Sequence, residues 1–216
     1  MGTHGFETRA VHNGRHGLGT AHVPPIDLST TNPLQDAEVG TASISALAQG
    51  AAEAENPIYA RLYNPTVARF EQALADLEGL PEAVGFGSGM AAIAACLMAA
   101  RERGGHVVAV RPVYGGTDHL LTDNPFGLTV TWAQAHEVGD AVRDDTALVI
   151  VETPANPTLA LVDLAQVVRA AGRVPVMVDN TFATPVLQRP VLQGAKIVVH
   201  SATKFIGGHG DVVAGV

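Results

Sequence analysis

Positive charge, cysteine and long apolar runs are all scarce in this chain of 216 residues. Lysine and arginine together number 13 against 21 acidic residues, which gives a formal net charge of −8 at pH 7. Such a surface argues against nucleic acid or an anionic membrane as a partner. The single cysteine, Cys96, excludes an internal disulfide, and its place in an apolar helical stretch indicates a buried structural thiol.

Signals for membrane insertion and export are also missing. The longest apolar run, residues 90–100, is too short to span a bilayer. The N-terminus carries His4, Glu7 and Arg9 without the apolar core of a signal peptide. A hydrophobic content of 47% nevertheless suffices for a sizeable core. We therefore expect a soluble, cytoplasmic protein of one large domain or one and a half.

Histidine is plentiful by contrast, with nine in the chain, which raises the question of a metal site. His12, His16 and His22 fall in a glycine-rich N-terminal stretch, and His200 and His209 flank a lysine. None of them stands in a cluster of cysteine, histidine or carboxylate with ligand spacing. The sequence therefore predicts no bound metal.

From residue 61 onward, apolar strands alternate with helical segments. One helix is predicted after Asn64, which can cap it, with Pro65 in its first position and Gly79 at its end. A second helix follows residues 87–89 and ends near residue 103, and a third covers residues 161–171. The predicted strands are short apolar runs at residues 106–110, 128–132, 147–151, 175–179 and 196–200. This alternation predicts an α/β fold with a mostly parallel sheet covered by helices on both faces.

The two ends of the chain are predicted to be less regular. Residues 1–60 show no steady period and are interpreted as an arm that contacts a neighbouring subunit, with a short helix around residues 43–54. Residues 61–216 form the main domain, which includes a short strand at residues 83–86. Residues 211–216 resemble the start of another strand, so we expect the fold to continue beyond Val216, with its C-terminal domain absent from this sequence.

Lys204 is the candidate for covalent chemistry. It is one of two lysines and follows the predicted strand at residues 196–200, at the edge where open α/β sheets bind ligands. The hydroxyls of Ser201 and Thr203 and a glycine-rich turn beside it suit an anionic group such as a phosphate. Lys196, at the other end of the same strand, is expected to face solvent. An ordinary exposed loop lysine is the alternative for Lys204.

An acidic residue ends the preceding predicted strand. Asp179 stands at the tip of residues 175–179, so its carboxylate points towards the same crevice as Lys204. This pairing suits pyridoxal phosphate, because the lysine bonds the aldehyde as an imine while the carboxylate pairs with the ring nitrogen. Two unit charges about 4 Å apart, at an effective dielectric of about 20, interact by roughly 4 kcal/mol. The alternative is that Asp179 only caps a turn.

A glycine-rich turn opens the second predicted helix. Gly87, Ser88, Gly89 and Met90 place exposed amides at the positive end of that helix, which suits a phosphate. The glycine spacing half-resembles a dinucleotide fingerprint, but the preceding strand is short and the next one ends at Arg111 instead of an acid. Pyridoxal phosphate therefore fits this turn better than NAD.

Tyr114 and Asn156 follow two further strands. An aromatic side chain such as Tyr114 at a strand end either stacks on a flat ring or packs in the ordinary way. Asn156 offers a hydrogen-bond donor to a ring oxygen. Both residues are therefore candidates for contacts with the same cofactor.

Taken together, these residues resemble the Cys/Met-metabolism (trans-sulfuration) family of pyridoxal-phosphate enzymes, which includes cystathionine γ-lyases and γ-synthases, methionine γ-lyases and O-acylhomoserine sulfhydrylases. The resemblance covers nearly the whole chain, and its most specific piece is the lysine signature at residues 201–209. It implies the fold of the large domain of aspartate-aminotransferase-like (fold type I) enzymes. The other motifs in the family's order are Tyr59-x-Arg61, Asn64-Pro65-Thr66, Ser88-Gly89-Met90, Tyr114-Gly115-Gly116-Thr117, Glu152-Thr153-Pro154-x-Asn156-Pro157 and Asp179-Asn180-Thr181.

The resemblance implies a role for each matching residue. Lys204 would hold the cofactor and shuttle protons, and Asp179 would pair with the ring nitrogen. Asn156 would contact the ring hydroxyl, and Tyr114 would stack on the ring and assist departure of the γ-substituent. The remaining cofactor contacts, chiefly to the phosphate, would come from Ser88, Gly89, Met90, Thr181, Ser201 and Thr203.

The resemblance also implies a partner and an activity. Tyr59 and Arg61 would reach the phosphate of a neighbouring subunit, which implies a homotetramer built from dimers that share active sites. The implied reaction is γ-elimination on a sulfur-containing amino acid, cystathionine or methionine, to 2-oxobutanoate, ammonia and a thiol. Two alternatives are γ-replacement by a synthase and an inactive cofactor-domain fragment.

Two departures from the family pattern bear on that activity. Family members are about twice as long, and their C-terminal domain supplies an arginine for the substrate carboxylate, for which no residue here can be nominated. Methionine γ-lyases often carry a cysteine two residues after the stacking tyrosine, where this chain has Gly116.

Overall fold

The structure, a computed structural model, describes residues 4–34, 36–51, 53–54 and 56–216. The chain divides into two compact units. The first runs to Leu77 and includes Pro81–Ala83, and the second comprises Glu78–Leu80 and Val84–Val216. No helix in the described part of the chain is long and apolar enough to cross a membrane.

Three helices occur among the described residues of the first unit. They are α1 (Phe6–His12), α2 (Ala37–Ala48) and α3 (Pro65–Glu78), whose last residue belongs to the second unit. α3 begins as predicted, because the Asn64 side chain accepts hydrogen bonds from the backbone N–H groups of Thr66 (2.9 Å) and Val67 (3.2 Å). These bonds satisfy two of the amides that a first helical turn leaves without partners.

The N-terminal segment is more regular than its composition predicts. Arg9 on α1 forms an ion pair with Asp76 on α3 at 2.9 Å. Arg69 on α3 donates to the carbonyl oxygens of Gly14 (2.9 Å) and His16 (2.6 Å). These contacts join residues that are more than 50 positions apart, so a search for local periodicity cannot find them. The role of residues 1–60 as an arm on a neighbouring subunit stays a prediction.

The helix predicted at residues 43–54 is wrong in position, since α2 covers Ala37–Ala48. Asp36 sets its start by accepting a hydrogen bond from the backbone N–H of Val39 at 2.8 Å. Gly50 follows its end with a φ of +93°, a left-handed conformation that favours glycine. Gln35, Ala52 and Glu55, which belong to the same stretch, lie outside the described residues.

The second unit is built on five parallel strands in the order β2-β1-β3-β4-β5, which confirms the predicted α/β fold. The strands are β1 (His106–Val110), β2 (Thr129–Ala133), β3 (Thr146–Glu152), β4 (Val176–Asp179) and β5 (Ile197–Val199). The helices are α4 (Gly89–Arg103), α5 (Gly115–Asp123), α6 (Val138–Ala141), α7 (Leu164–Ala171) and α8 (Thr184–Leu187), with short 3-10 turns at Ala135–Glu137 and Pro190–Gln193.

Both faces of the sheet are covered, which explains why its strands are apolar throughout. In β1, Val107 and Ala109 belong to one core together with Leu97 of α4. Val108 belongs to a second core together with Val167 of α7. Successive side chains of a strand point to opposite faces, so a continuous apolar run supplies both cores.

Some predicted element boundaries are wrong. α7 begins at Leu164 instead of residue 161, because the Asp163 side chain accepts a hydrogen bond from the backbone N–H of Gln166 (2.9 Å) and caps the helix there. The strands predicted at residues 83–86 and 211–216 are reduced to backbone pairs. Phe86 and Gly215 exchange two hydrogen bonds of 2.8 Å, and Val216 exchanges two with residue 200.

The register of the strands brings their carboxyl ends to one edge of the sheet. Glu152 at the end of β3 is paired with Asp179 at the end of β4, and Asp179 is paired with Val199 at the end of β5. Open α/β sheets bind ligands at this edge. The lysine turn, residues 201–208, begins two residues after β5 and therefore lies beside both acids.

Candidate active site

A cavity of about 210 Å³ lies at the carboxyl edge of the sheet. It brings together every predicted site residue of the second unit. Tyr59 and Arg61 are in the first unit, where the Arg61 guanidinium lies 5.2 Å from the centre of the Tyr59 ring. The residues that line the cavity are Ser88, Gly89, Met90, Ile93, Tyr114, Glu152, Asn156, Asp179, Thr181, Phe182, Ser201, Thr203 and Lys204.

Asp179 supplies a partly buried carboxylate to this cavity. Its Oδ1 accepts hydrogen bonds from the backbone N–H (3.0 Å) and the hydroxyl (2.5 Å) of Thr181. Burial raises the pKa of Asp179, while the two bonds from Thr181 and the charge of His200 act in the opposite direction. A carboxylate in this setting gains from a cationic partner, and the cavity leaves room for one.

Lys204 supplies an amine from the lysine turn after β5. The turn is closed by hydrogen bonds from Lys204 N–H to the Ser201 carbonyl (3.1 Å) and from Gly208 N–H to the Lys204 carbonyl (2.8 Å). Gly208 has a φ of +79°, which explains the glycine at this position. Lys196 is exposed at the opposite end of the sheet, as predicted, where its N–H donates to the carbonyl of Val176 at the start of β4.

The start of α4 forms the end of the cavity that suits an anion. Ser88 caps the helix by accepting a hydrogen bond from the backbone N–H of Ala91 at 3.1 Å. The first amides of a helix have no partner within it and carry partial positive charge. Gly89 packs so tightly that a Cβ at this position would lie 2.7 Å from the Cβ of Ser201. A glycine is therefore needed for the helix to start beside the lysine turn.

The two threonines of the predicted set are already engaged with the protein. The Thr181 hydroxyl accepts a hydrogen bond from the backbone N–H of Ser201 (2.8 Å) while it donates to Asp179. The Thr203 hydroxyl donates to the carbonyl of Ala214 (3.2 Å) and accepts from its N–H (3.1 Å). Thr181 thus joins the ends of β4 and β5, and Thr203 holds the lysine turn against the last residues of the chain.

Glu152 is a site residue for which the sequence analysis assigned no role. It ends β3 and is only 6% exposed, and its two carboxylate oxygens accept hydrogen bonds from the backbone N–H groups of Tyr114 and of Asn156 (2.8 Å). Burial raises the pKa of Glu152 to about 7, and the nearby charge of Asp179 acts in the same direction. The signal that could have found it is the one that found Asp179, an acid at the end of a buried strand.

The side chains around the cavity fit pyridoxal phosphate. Lys204 can bond its aldehyde, and Asp179 can pair with its ring nitrogen. Asn156 and Tyr114 lie on the loops that follow β3 and β1, where they can contact the ring hydroxyl and the ring face. The start of α4 with Ser88 suits its phosphate. In the described part of the chain, no group of three His, Cys, Asp or Glu side chains could hold a metal ion.

Two curated relatives of this chain are both named L-methionine γ-lyase. The chain is 58% identical over 215 residues to an L-methionine γ-lyase of Brevibacterium sandarakinum, covering 97% of this chain and 55% of the relative. It is also 58% identical over 215 residues to an L-methionine γ-lyase of Streptomyces avermitilis, covering 98% of this chain and 52% of the relative. The chain thus spans about half the length of the curated relatives it matches.

Solved structures of similar proteins share the fold. A cystathionine γ-lyase from Micromonospora echinospora is 40% identical with a TM-score of 0.82, covering 98% of this chain and 54% of that one. A cystathionine γ-lyase from Lactobacillus plantarum is 32% identical with a TM-score of 0.82, again covering 98% and 54%. Residues 7–216 match the sequence model of the family described as "Cys/Met metabolism PLP-dependent enzyme". The chain therefore belongs to the Cys/Met-metabolism family of enzymes that depend on pyridoxal phosphate, and its sheet is that of fold type I.

Proposed function

We propose that this chain forms the cofactor-binding part of a lyase that removes the γ-substituent of a sulfur-containing amino acid. The reaction consumes one water molecule, and the products are 2-oxobutanoate, ammonia and a thiol. The observation that carries the proposal is that Asp179 and Lys204 line one cavity at the carboxyl edge of the sheet. Methionine is the first candidate substrate, because the relatives that are 58% identical are named for it, and cystathionine is the second.

Pyridoxal phosphate, when bound, supplies an electron-withdrawing ring that stabilises negative charge on the substrate α-carbon. Asp179 would hold the ring nitrogen in its protonated form, since a carboxylate beside it favours the cation. Lys204 would hold the cofactor through its amine, and the same amine would take and return protons as a general base and acid. The lysine is suited to this work because it stands on an exposed turn, where its long side chain can move.

The remaining side chains orient the cofactor and the substrate. Ser88, Ser201 and the first amides of α4 would bind the phosphate, and Asn156 would bind the ring hydroxyl. Tyr114 would stack on the ring and assist departure of the γ-substituent. Glu152 holds the loops of Tyr114 and Asn156 through its two backbone hydrogen bonds.

The assembly and location of the protein are also part of this proposal. Tyr59 and Arg61 are assigned to the phosphate of a neighbouring subunit within a homotetramer built from dimers, with residues 1–60 as the contacting arm. Neither residue is among those that line the cavity of the second unit, which is compatible with that role. A cytoplasmic location is supported by the presence of one cysteine only, which excludes stabilisation by an internal disulfide.

Cofactor attachment tests the site independently of turnover. The chain mixed with pyridoxal phosphate should turn yellow, and borohydride reduction should fix the cofactor to the peptide that contains Lys204. Lys204→Ala should abolish this attachment, whereas the matched variant Lys196→Ala should retain it. A colourless wild-type protein, or equal labelling of the two variants, would contradict the assignment of Lys204.

Turnover tests the reaction itself. The chain should be joined to the C-terminal half of the Brevibacterium sandarakinum relative and assayed with methionine for 2-oxobutanoate and methanethiol. Release of both products supports the lyase. Formation of a new thioether from an added thiol, with little 2-oxobutanoate, would instead identify a γ-replacement enzyme. Cofactor attachment without either reaction would identify a binding domain that does not catalyse.

A further inference from the structure

A buried polar cluster lies at the strand ends that carry the site, and the proposed reaction does not use it. Glu78 is 3% exposed, His200 is 1% exposed and Asn180 is fully buried. The Nε2 of His200 lies 2.6 Å from Oε1 of Glu78, and the same oxygen accepts a hydrogen bond from the side-chain amide of Asn180 at 2.9 Å. Removing an acid and an imidazole from water costs free energy, so the burial of this pair calls for a structural or functional explanation.

The cluster joins the two strands that present the amine and the acid of the site. Asn180 directly follows Asp179 at the end of β4, and His200 directly precedes the lysine turn after β5. The two strand ends are also linked by a hydrogen bond from the backbone N–H of Asn180 to the carbonyl of Val199 at 2.9 Å. Glu78 comes from the end of α3 and binds both sides of this junction through one oxygen.

A glutamine connects the cluster to a third strand. The side-chain amide of Gln188 donates to the side-chain carbonyl of Asn180 (2.9 Å) and to the backbone carbonyl of Thr153 (3.0 Å), which directly follows β3. Asn180 returns a hydrogen bond to the Gln188 carbonyl at 2.9 Å. The cluster thus contacts the chain directly after each of the three strands β3, β4 and β5.

The cluster also acts electrostatically on Asp179, in addition to joining the strand ends. A positive charge on His200 lowers the pKa of Asp179 and so opposes the effect of burial on that acid. Lys204 and Glu152 line the same cavity as Asp179, and the charge of Asp179 raises the pKa of Glu152. His200 directly follows Val199, which is the in-register neighbour of Asp179 on β5, and Glu78 contacts His200 at Nε2.

We infer that His200, oriented and charge-paired by Glu78, is a positioning residue that keeps Asp179 ionised so that Asp179 can hold a protonated ring nitrogen. This inference rests on the part of the proposed function in which Asp179 pairs with that nitrogen. It does not depend on which amino acid is the substrate. Glu78 and His200 therefore act on the cofactor only through Asp179.

The test compares two cofactors that differ at one atom. Dissociation constants of the chain are measured for pyridoxal phosphate and for a deaza analogue in which carbon replaces the ring nitrogen. His200→Gln keeps a hydrogen-bond donor for Glu78 but removes the charge, and Glu78→Gln keeps the acceptor for Asn180 and His200. Each variant should bind pyridoxal phosphate about tenfold more weakly than wild type, and should bind the deaza analogue within about twofold of wild type.

A buried histidine elsewhere provides the matched control. His106 is fully buried at the start of β1, at the opposite edge of the sheet, where it contacts the hydroxyls of Thr146 (2.7 Å) and Thr131 (2.9 Å). His106→Gln should lower thermal stability and leave the ratio of the two dissociation constants unchanged. The same loss of affinity for both cofactors in either site variant would show that the Glu78–His200 pair is only structural, and an unchanged ratio in Glu78→Gln would overturn the inference.

The same measurement separates this inference from the proposed function. A shifted ratio together with no turnover of methionine would uphold the role of His200 and reject the reaction. Turnover of methionine with an unshifted ratio would uphold the reaction and reject the role of His200. The pH dependence of the visible absorption band of the bound cofactor gives a second readout, since it should shift in Glu78→Gln and His200→Gln but not in His106→Gln.

Discussion

Glu152 and Asp179 are in-register partners at the carboxyl ends of β3 and β4, and both carboxylates line the same cavity. Neighbouring strands thus present two acids side by side in a mostly buried setting. Like charges this close disfavour double ionisation. The two acids have different partners, since Asp179 is hydrogen-bonded to Thr181 and Glu152 to the backbone of two loops.

The first prediction concerns the pH dependence of stability. Burial raises the pKa of Glu152 to about 7 from its usual value of 4.5. Because the folded chain binds this proton more tightly than the unfolded chain, the stabilisation is present below about pH 4.5 and is lost as the pH rises through about 7. In urea denaturation without cofactor, wild type should lose roughly 1–2 kcal/mol relative to Glu152→Gln over this range, after allowance for solvent screening.

A glutamate on the surface serves as the control for that measurement. Glu102 is exposed on α4, and Glu102→Gln should follow the wild-type curve. A difference between wild type and Glu152→Gln that stays flat, or that grows in favour of wild type with rising pH, would contradict the assigned burial of Glu152.

The second prediction is that Asp179→Asn has opposite effects with and without cofactor. Burial raises the pKa of Asp179, so the ionised form is costly in the folded chain at neutral pH, and asparagine should raise the melting temperature without cofactor. Affinity for pyridoxal phosphate should fall about 10- to 100-fold, because a hydrogen bond to a charged group contributes about 1.5–3 kcal/mol. Asp163→Asn, at the exposed cap of α7, should change neither quantity. A fall in both would indicate that Asp179 is mainly structural.

The third prediction concerns the space that Gly116 leaves for the Tyr114 ring. A Cβ at position 116 would lie 2.5 Å from Cε1 of Tyr114 and 3.1 Å from the sulfur of Met90. Gly116→Ala should therefore displace the tyrosine ring and weaken cofactor binding about tenfold, as measured by the dissociation constant. The matched variant Gly115→Ala meets no heavy atom within 4 Å and should leave cofactor binding unchanged. Equal cofactor affinity in the two variants would show that the ring does not need this space.

The fourth prediction concerns the phosphate. A Cβ at Gly89 would lie 2.7 Å from the Cβ and 2.8 Å from the Cα of Ser201, so the lysine turn and the start of α4 would have to separate. Gly89→Ala should weaken binding of pyridoxal phosphate at least about tenfold more than binding of pyridoxal, which lacks the phosphate. Gly87→Ala, with no heavy atom within 4 Å, should weaken neither. A loss shared equally by the two ligands would place the phosphate elsewhere.

Local signals predicted the elements well where a cap and an apolar period coincide. Asn64 caps α3 and β1 has the predicted limits, because each depends on residues only a few positions apart. The starts of α2 and α7 were predicted at the wrong residues. Asp36 and Asp163 cap these helices, and the sequence alone does not distinguish either from other polar residues nearby. One capping side chain sets the residue at which a helix begins, whereas hydrophobic periodicity is a property of many residues and does not locate that residue.

The sequence by itself determined the approximate positions of the five sheet strands, their alternation with helices, and the presence of Asp179 and Lys204 after strand ends, because these follow from hydrophobic pattern and chain order. Tertiary structure alone decided the order β2-β1-β3-β4-β5, the bonds from Glu152 to the Tyr114 loop and the contact between Glu78 and His200, 122 positions apart. The physical reason is that apolar burial has no direction and is satisfied by many strand orders, whereas hydrogen bonds between distant buried groups form only in the one arrangement that brings them within reach.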